Sequence, residues 1–192
     1  MEFNEQKLIE RASGGDPSAF NRLMAEHERK MYAVALRMCG NREDAQDCLQ
    51  EAMLRIYRSI SSFKGQSSFG TWVYRITMNT CLDELRRKKN KAAASLDSLV
   101  DAGWSPTDES DTPEKHSERK ALRRELSGAI RELPEDMRSA VVLRDIHGYS
   151  YDEIAQVLDV NVGTVKSRIS RAREKLRGKL QEITELFDTG NV

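Results

Sequence analysis

No apolar stretch in this 192-residue chain approaches the roughly 18 residues that a bilayer-crossing helix needs. The N-terminus, Met-Glu-Phe-Asn-Glu-Gln, is acidic and polar, unlike a secretion signal. A soluble, cytoplasmic chain with no membrane insertion is therefore expected. Cysteine is scarce. Cys39, Cys48 and Cys81 are scattered and odd in number, and no Cys-x-x-Cys occurs. That pattern speaks against a disulfide framework or a zinc site and suits a reducing compartment. Each cysteine falls in a helical pattern, where it reads as a small apolar core residue. His27, His116 and His147 are isolated, so no metal set and no histidine-centred catalytic site is expected. The sequence therefore implies no cofactor and no enzymatic activity. Strand-type alternation is absent too, which leaves an all-α chain. Finally, charge of one sign is not in excess: 31 Lys and Arg balance 31 Asp and Glu. A nucleic-acid binder of zero net charge must segregate its charges.

This chain does segregate them. Arg86, Arg87, Lys88, Lys89 and Lys91 form one basic run, and a second extends from Lys166 to Lys179. Between them Asp97, Asp101, Asp108, Glu109, Asp111, Glu114 and Glu118 make an acidic stretch that holds Gly103, Pro106 and Pro113. Residues 91–113 therefore read as a flexible acidic linker between two small helical domains, 1–90 and 114–188.

The second basic run belongs to a helix-turn-helix pattern. Ser150 and Glu153 fit a capping box, and Ile154, Ala155 and Leu158 form an apolar face. Asp159, Val160 and Asn161 make the break. Val165, Ile169, Ala172 and Leu176 then recur as one buried stripe. Thr164, Lys166, Ser167, Arg168, Ser170, Arg171 and Arg173 occupy the remaining faces, as in a helix built to enter the major groove. The plainer alternative is an amphipathic hairpin with a solvated basic face. Upstream, Leu126, Ala129, Ile130 and Leu133 mark a helix closed by Pro134. The helix after it carries Met137, Val141, Val142 and Ile146 inward and ends at His147-Gly148.

The first half reads as four helices. Residues 4–13 stop at Gly14-Gly15. Asp16-Pro17 opens a helix running to about Cys39, with His27 on its apolar stripe. Asn41 caps the next, from Arg42 to about Ile60, with Cys48, Ile56 and Tyr57 inward. Its other face carries Asp44, Asp47, Gln50 and Glu51, either solvated or a docking surface for a basic partner. A Ser- and Gly-rich loop follows, in which Phe63 either tucks into the core or meets a base. The last helix, about Phe69 to Lys89, turns Trp72 and Val73 inward. It leaves Tyr74, Arg75, Asn79, Asp83, Arg86 and Arg87 outside, a mixture of rings, cations and an amide suited to single-stranded DNA.

The motifs resemble a known family. Asp44-Ala-Gln-Asp-Cys-Leu-Gln-Glu51, Phe63-Lys-Gly-Gln-Ser-Ser-Phe-Gly-Thr-Trp-Val-Tyr-Arg-Ile76, Asn79 and Leu82-Asp-Glu-Leu-Arg-Arg-Lys88 are similar to region 2 of bacterial sigma factors. Leu133-Pro134, Gly148-Tyr-Ser, Val162-Gly-Thr-Val-Lys-Ser-Arg168 and Arg171-Ala-Arg173 are similar to region 4. The two-part layout resembles the extracytoplasmic-function (ECF) group. The resemblance implies a transcription initiation factor with core RNA polymerase, promoter DNA and an anti-sigma factor as partners. It implies polymerase docking on the beta-prime clamp helices through Asp44, Asp47, Gln50, Glu51 and Leu54, with a further contact to the beta flap. It implies −10 element contacts by Phe63, Lys64, Ser68, Arg75, Asn79, Arg86, Arg87 and Lys88. The −35 element falls to Thr164, Lys166, Ser167, Arg168, Ser170, Arg171 and Arg173. A membrane-bound anti-sigma would hold the factor at the inner membrane face. The competing reading is a helix-turn-helix regulator that never docks on polymerase.

Overall fold

The computed structural model describes residues 5–94 and 125–189, and every regular element among them is helical. In chain order these are α1 (Glu5–Ser13), α2 (Pro17–Cys39), α3 (Arg42–Ser59), a 3-10 turn (Ile60–Ser62) and α4 (Phe69–Ala94). After the acidic segment come α5 (residues 125–132), α6 (Glu135–Val141), a π-turn (Val142–Ile146), α7 (Tyr151–Leu158) and α8 (Val162–Thr189). The expected linker from 95 onward, its acidic residues and the start near Glu114 lie outside the described residues.

Local chemistry sets the helix ends. Asp16 Oδ1 accepts the Ser18 and Ala19 amides at 2.9 and 3.1 Å, and Pro17 supplies the preset φ of the first turn. Gly40 closes α2 at φ 81°, a conformation that disfavours any side chain. Asn41 then caps α3 through the Asp44 amide at 2.8 Å. Ser68 Oγ accepts the Thr71 amide at 3.1 Å and so starts α4. The Ser150–Glu153 capping box is formed in both directions.

The core begins between α2, α3 and α4. Leu23, Met24, Met31, Val34 and Met38 meet Cys48 and Ile56 of α3 and Val73, Met78 and Cys81 of α4, all buried. Ala45 and Ala52 are fully covered and let α3 approach closely. Thr77 and Thr80 are buried in α4 but donate to the Val73 and Ile76 carbonyls at 3.0 and 2.9 Å, so neither hydroxyl is left unpaired. The same apolar cluster continues into the second half through Ala140, Leu143, Ile154, Val157, Val165 and Ile169. Burying one such isoleucine stabilises by about 1.5–3 kcal/mol. Helix α4 is the pivot, because it packs on α3 on one side and α7 on the other.

Four expectations are corrected. Helix α4 runs to Ala94, past its expected end at about Lys89. Tyr74 is buried rather than outward, wedged with its ring 5.5 Å from Tyr149 and 6.1 Å from His27. Tyr57 and Ile146, expected inside, are 45% and 40% exposed. All three side chains lie on helix flanks, and the neighbouring helix decides which flank is covered.

Candidate functional site

The cap of α8 sets the start of the basic helix. Asn161 Oδ1 accepts the Thr164 amide at 2.8 Å and the Thr164 hydroxyl at 3.0 Å, so Thr164 serves the cap. Val165, Ile169 and Ala172 are buried, while Lys166, Ser170, Arg171 and Arg173 are exposed. Ser167 shares the outward side but is half-buried, its hydroxyl donating to the Thr164 carbonyl at 2.9 Å. Lys166 Nζ stands 5.7 Å over the Tyr151 ring. Two expected DNA contacts have other partners. Arg168 turns toward α6 and pairs with Asp136 at 3.2 Å, leaving 24% of its side chain exposed. Arg173 is held on Asp145 by bonds of 2.9 and 2.5 Å. Of the residues expected to meet the −35 element, Lys166, Ser167, Ser170 and Arg171 are those taken up neither by an ion pair nor by the Asn161 cap.

A second surface lies beside the 63–68 loop. A cleft of about 440 Å³ is lined by Phe63, Lys64, Trp72 and Arg75, with Gln156 and Asp159 of α7 across from them. Phe63 sits between the core and the cleft. It is half-buried, with its ring 5.4 Å from those of Phe69 and Trp72, yet it still forms the cleft wall. Trp72, read as core, is half-buried and shares that wall. Ser68 caps α4 and does not line the cleft. Asn79 is exposed one turn beyond Arg75. The basic run beyond it is partly neutralised by its own surroundings. Arg86 lies 3.9 Å from Asp83, Arg87 is gripped by Glu84 at 2.8 and 2.7 Å, and Lys88 reaches Asp44.

The third surface is the outer face of α3. Asp47 and Gln50 are exposed, Leu54 is 49% exposed, and Tyr57 continues the same stripe with its ring edge-on to Phe20 at 5.0 Å. Leu54 and Tyr57 are thus two large apolar side chains left bare on an otherwise polar helix face. Glu51 is partly exposed and holds Arg55 at 2.8 Å, and Arg55 reaches on to Asp83 of α4 at 2.9 Å. Asp44 does not share this face. Its side chain is 15% exposed, bonded by Asn41 Nδ2 at 2.5 Å and paired with Lys88. Burial alone would raise its pKa, but Lys88 and Asn41 outweigh burial and hold the carboxyl below its usual range. Asp44 thus braces α3 against α4.

Residues 23–91 match the family model described as Sigma-70 region 2, and residues 123–176 match that of Sigma-70, region 4. The ECF RNA polymerase sigma-E factor of Haemophilus influenzae is 40% identical over 187 residues, spanning 95% of this chain and 98% of that protein. The chain belongs to the ECF sigma factors. The sigma-E factor of Escherichia coli K12 is 37% identical over 186 residues, spanning 95% and 97% of the two chains. The solved structure of CnrH in complex with the cytosolic domain of CnrY aligns with a TM-score of 0.64 at 26% identity, covering 93% of this chain and 97% of that one. Transcription initiation is thus the work of this sigma factor, and none of its described helices is long and apolar enough to cross a membrane.

One feature of the sigma factor overturns the reading of scattered cysteines. Cys39, Cys48 and Cys81 come from α2, α3 and α4, and their sulfurs all lie within 4.8 Å of one another. The Cys39 and Cys48 sulfurs are 3.5 Å apart. Sequence spacing gave no hint, because three different helices bring the thiols together. The exposure of Tyr57 and the approach of Gln156 and Asp159 to the cleft likewise depend on how separate helices pack.

Proposed function

We propose that this sigma factor docks on the clamp helices of core RNA polymerase through Asp47, Gln50, Glu51 and Leu54, with Tyr57 extending the contact and Asp44 bracing it. In this reading one non-template base of the −10 element enters the cleft beside Phe63 and Trp72. Lys64, Arg75 and Asn79 flank that base, and the run from Arg86 to Lys88 lies along the phosphates. Lys166, Ser167, Ser170 and Arg171 read the −35 element. Residues 1–90 and 114–188 act as separate modules, with 91–113 as the tether and the second module reaching the beta flap. An anti-sigma factor restrains the whole.

The observation that carries this reading is the cleft, where two aromatic walls with cations at the rim match the chemistry of a flipped base. Extruding a base costs a few kcal/mol of stacking, which ring contacts and polymerase binding offset. Gln156 and Asp159 of α7 face the same cleft. Admitting a strand therefore requires α7 to withdraw from α4, and docking of both modules on one polymerase supplies the free energy. Tethering keeps the second module at high effective concentration once the first is bound. With zero net charge, the free factor gains little from phosphate contacts alone.

The test is run-off transcription with purified core enzyme, paired with a core-binding titration. Asp47→Arg reverses an exposed charge on the docking face. It is expected to weaken core binding by about tenfold or more, about 1.4 kcal/mol, while leaving the helix content unchanged. Unchanged core affinity would remove α3 from the docking reading.

A further inference from the structure

We propose that Cys39, Cys48 and Cys81 form a binding site for one thiophilic divalent cation, zinc, held by three thiolates with a water as fourth ligand. The geometry leads there. The three sulfurs lie within 4.8 Å of one another, with one edge already at 3.5 Å. Zinc bonded to thiolates at about 2.3 Å needs sulfur–sulfur edges of about 3.8 Å, so each sulfur moves by an ångström or less. A disulfide between Cys39 and Cys48 uses only two of the three groups and leaves Cys81 idle in the core. Cys48 and Cys81 are buried and Cys39 is half-buried, so water can approach the cluster from the Cys39 side alone. That is the arrangement of a three-ligand site with one open position.

The electrostatics agree. The thiols share protons: the Cys39 and Cys81 sulfhydryls stabilise a Cys48 thiolate and pull its pKa down to about 4. The same sharing, with burial, pushes Cys39 and Cys81 far up. Zinc binding would displace thiol protons to solvent. Three thiolates and a divalent ion leave a single negative charge. Lys88 and Arg138 both lie within electrostatic reach of Cys39 and offset it. Because α2, α3 and α4 each supply a ligand, the ion would clamp the helices behind the outer face of α3. The site stands independently of the docking assignment.

The experiment uses the full chain, reduced and stripped of metal, titrated with zinc chloride against a chromophoric zinc chelator. Cobalt serves as the spectroscopic stand-in that reports thiolate ligation. One ion per chain is expected, with a thiolate-to-cobalt charge-transfer band, proton release on binding and a Tm that rises with zinc. Cys39→Ala, at the half-buried position, should weaken zinc binding by at least about 100-fold and abolish the zinc-dependent Tm rise. Cys48→Ser should do the same, and the circular dichroism of both variants reports whether they fold. Binding no tighter than that of the folded Cys39→Ala protein overturns the proposal. So does a reduced chain that takes up no zinc yet forms a Cys39–Cys48 disulfide with peroxide.

Discussion

Arg138 offers the sharpest test of how the two halves are joined. Its Nη1 donates to the Met38 carbonyl at 2.8 Å, across the junction. Its Nη2 donates to the Leu133 carbonyl at 3.1 Å and to that of Arg131. Met38 lies in the last turn of α2, and Arg131 and Leu133 sit at the end of α5. Carbonyls at helix C-termini have no partner within their own helix, so one guanidinium satisfies acceptors of two helices at once. A hydrogen bond from a charged donor contributes about 1.5–3 kcal/mol. Three bonds to one half-buried group do not add, and water can reach part of the site. Arg138→Met keeps the apolar stem and removes the fork, at an expected cost of about 3 kcal/mol. With a urea slope of about 2–3 kcal/mol per M, the midpoint of unfolding should fall by about 1 M. Far-UV circular dichroism across a urea series reads this directly. Arg138→Lys should recover less than half of the loss, since one ammonium cannot span carbonyls on two helices in the fork's geometry. A midpoint for Arg138→Met within about 0.2 M of the unmodified chain would refute the idea that this residue ties the halves together.

Two further outcomes follow from groups whose surroundings are equally specific. His27 and His147 both have pKa values lowered below the usual 6.5, first by burial, and for His147 also by Arg37 and Lys30. The unfolded chain then binds more protons than the folded one below about pH 6.5, so stability should fall as pH drops through that value. His147→Asn should flatten the pH dependence of Tm between pH 7 and 5.5, and an unaltered slope would count against the assignment. The partly exposed carboxylates held low by partners, such as Asp16 and Glu153, titrate below this window and do not confuse it. On α8, Arg171→Ala should weaken binding of the polymerase-bound factor to a −35 duplex and lower its salt slope by about 1. Arg168→Ala should leave the salt slope alone, since Arg168 is engaged by Asp136, and should instead loosen the α6–α8 contact. Equal salt slopes for the two variants would return Arg168 to the DNA face.

The contrast between Arg171 and Arg168 shows where sequence pattern stops being informative. Helix starts, stops and stripes that rest on residues within a turn or two of each other were largely legible: the Asp16-Pro17 start, the Gly40 stop, the Ser150–Glu153 box and the inward stripe of α8. Such features rest on backbone geometry common to all helices, so composition and spacing carry them. What was not legible depends on a second helix. Arg168 and Arg171 are three residues apart with the same charge, and the approach of α6 alone makes one a brace and leaves the other free. Asp44 and Asp47 diverge in the same way, because Lys88 of α4 reaches only the first. Tyr74 looked like a surface ring among cations until Tyr149 arrived from the far half to cover it. The cysteines are the extreme case, since no two share a helix. A one-dimensional period assigns each side chain to a face of its own cylinder. Whether that face meets solvent, a carboxylate or another thiol is settled by packing, and here α4, touching both halves, settles most of it.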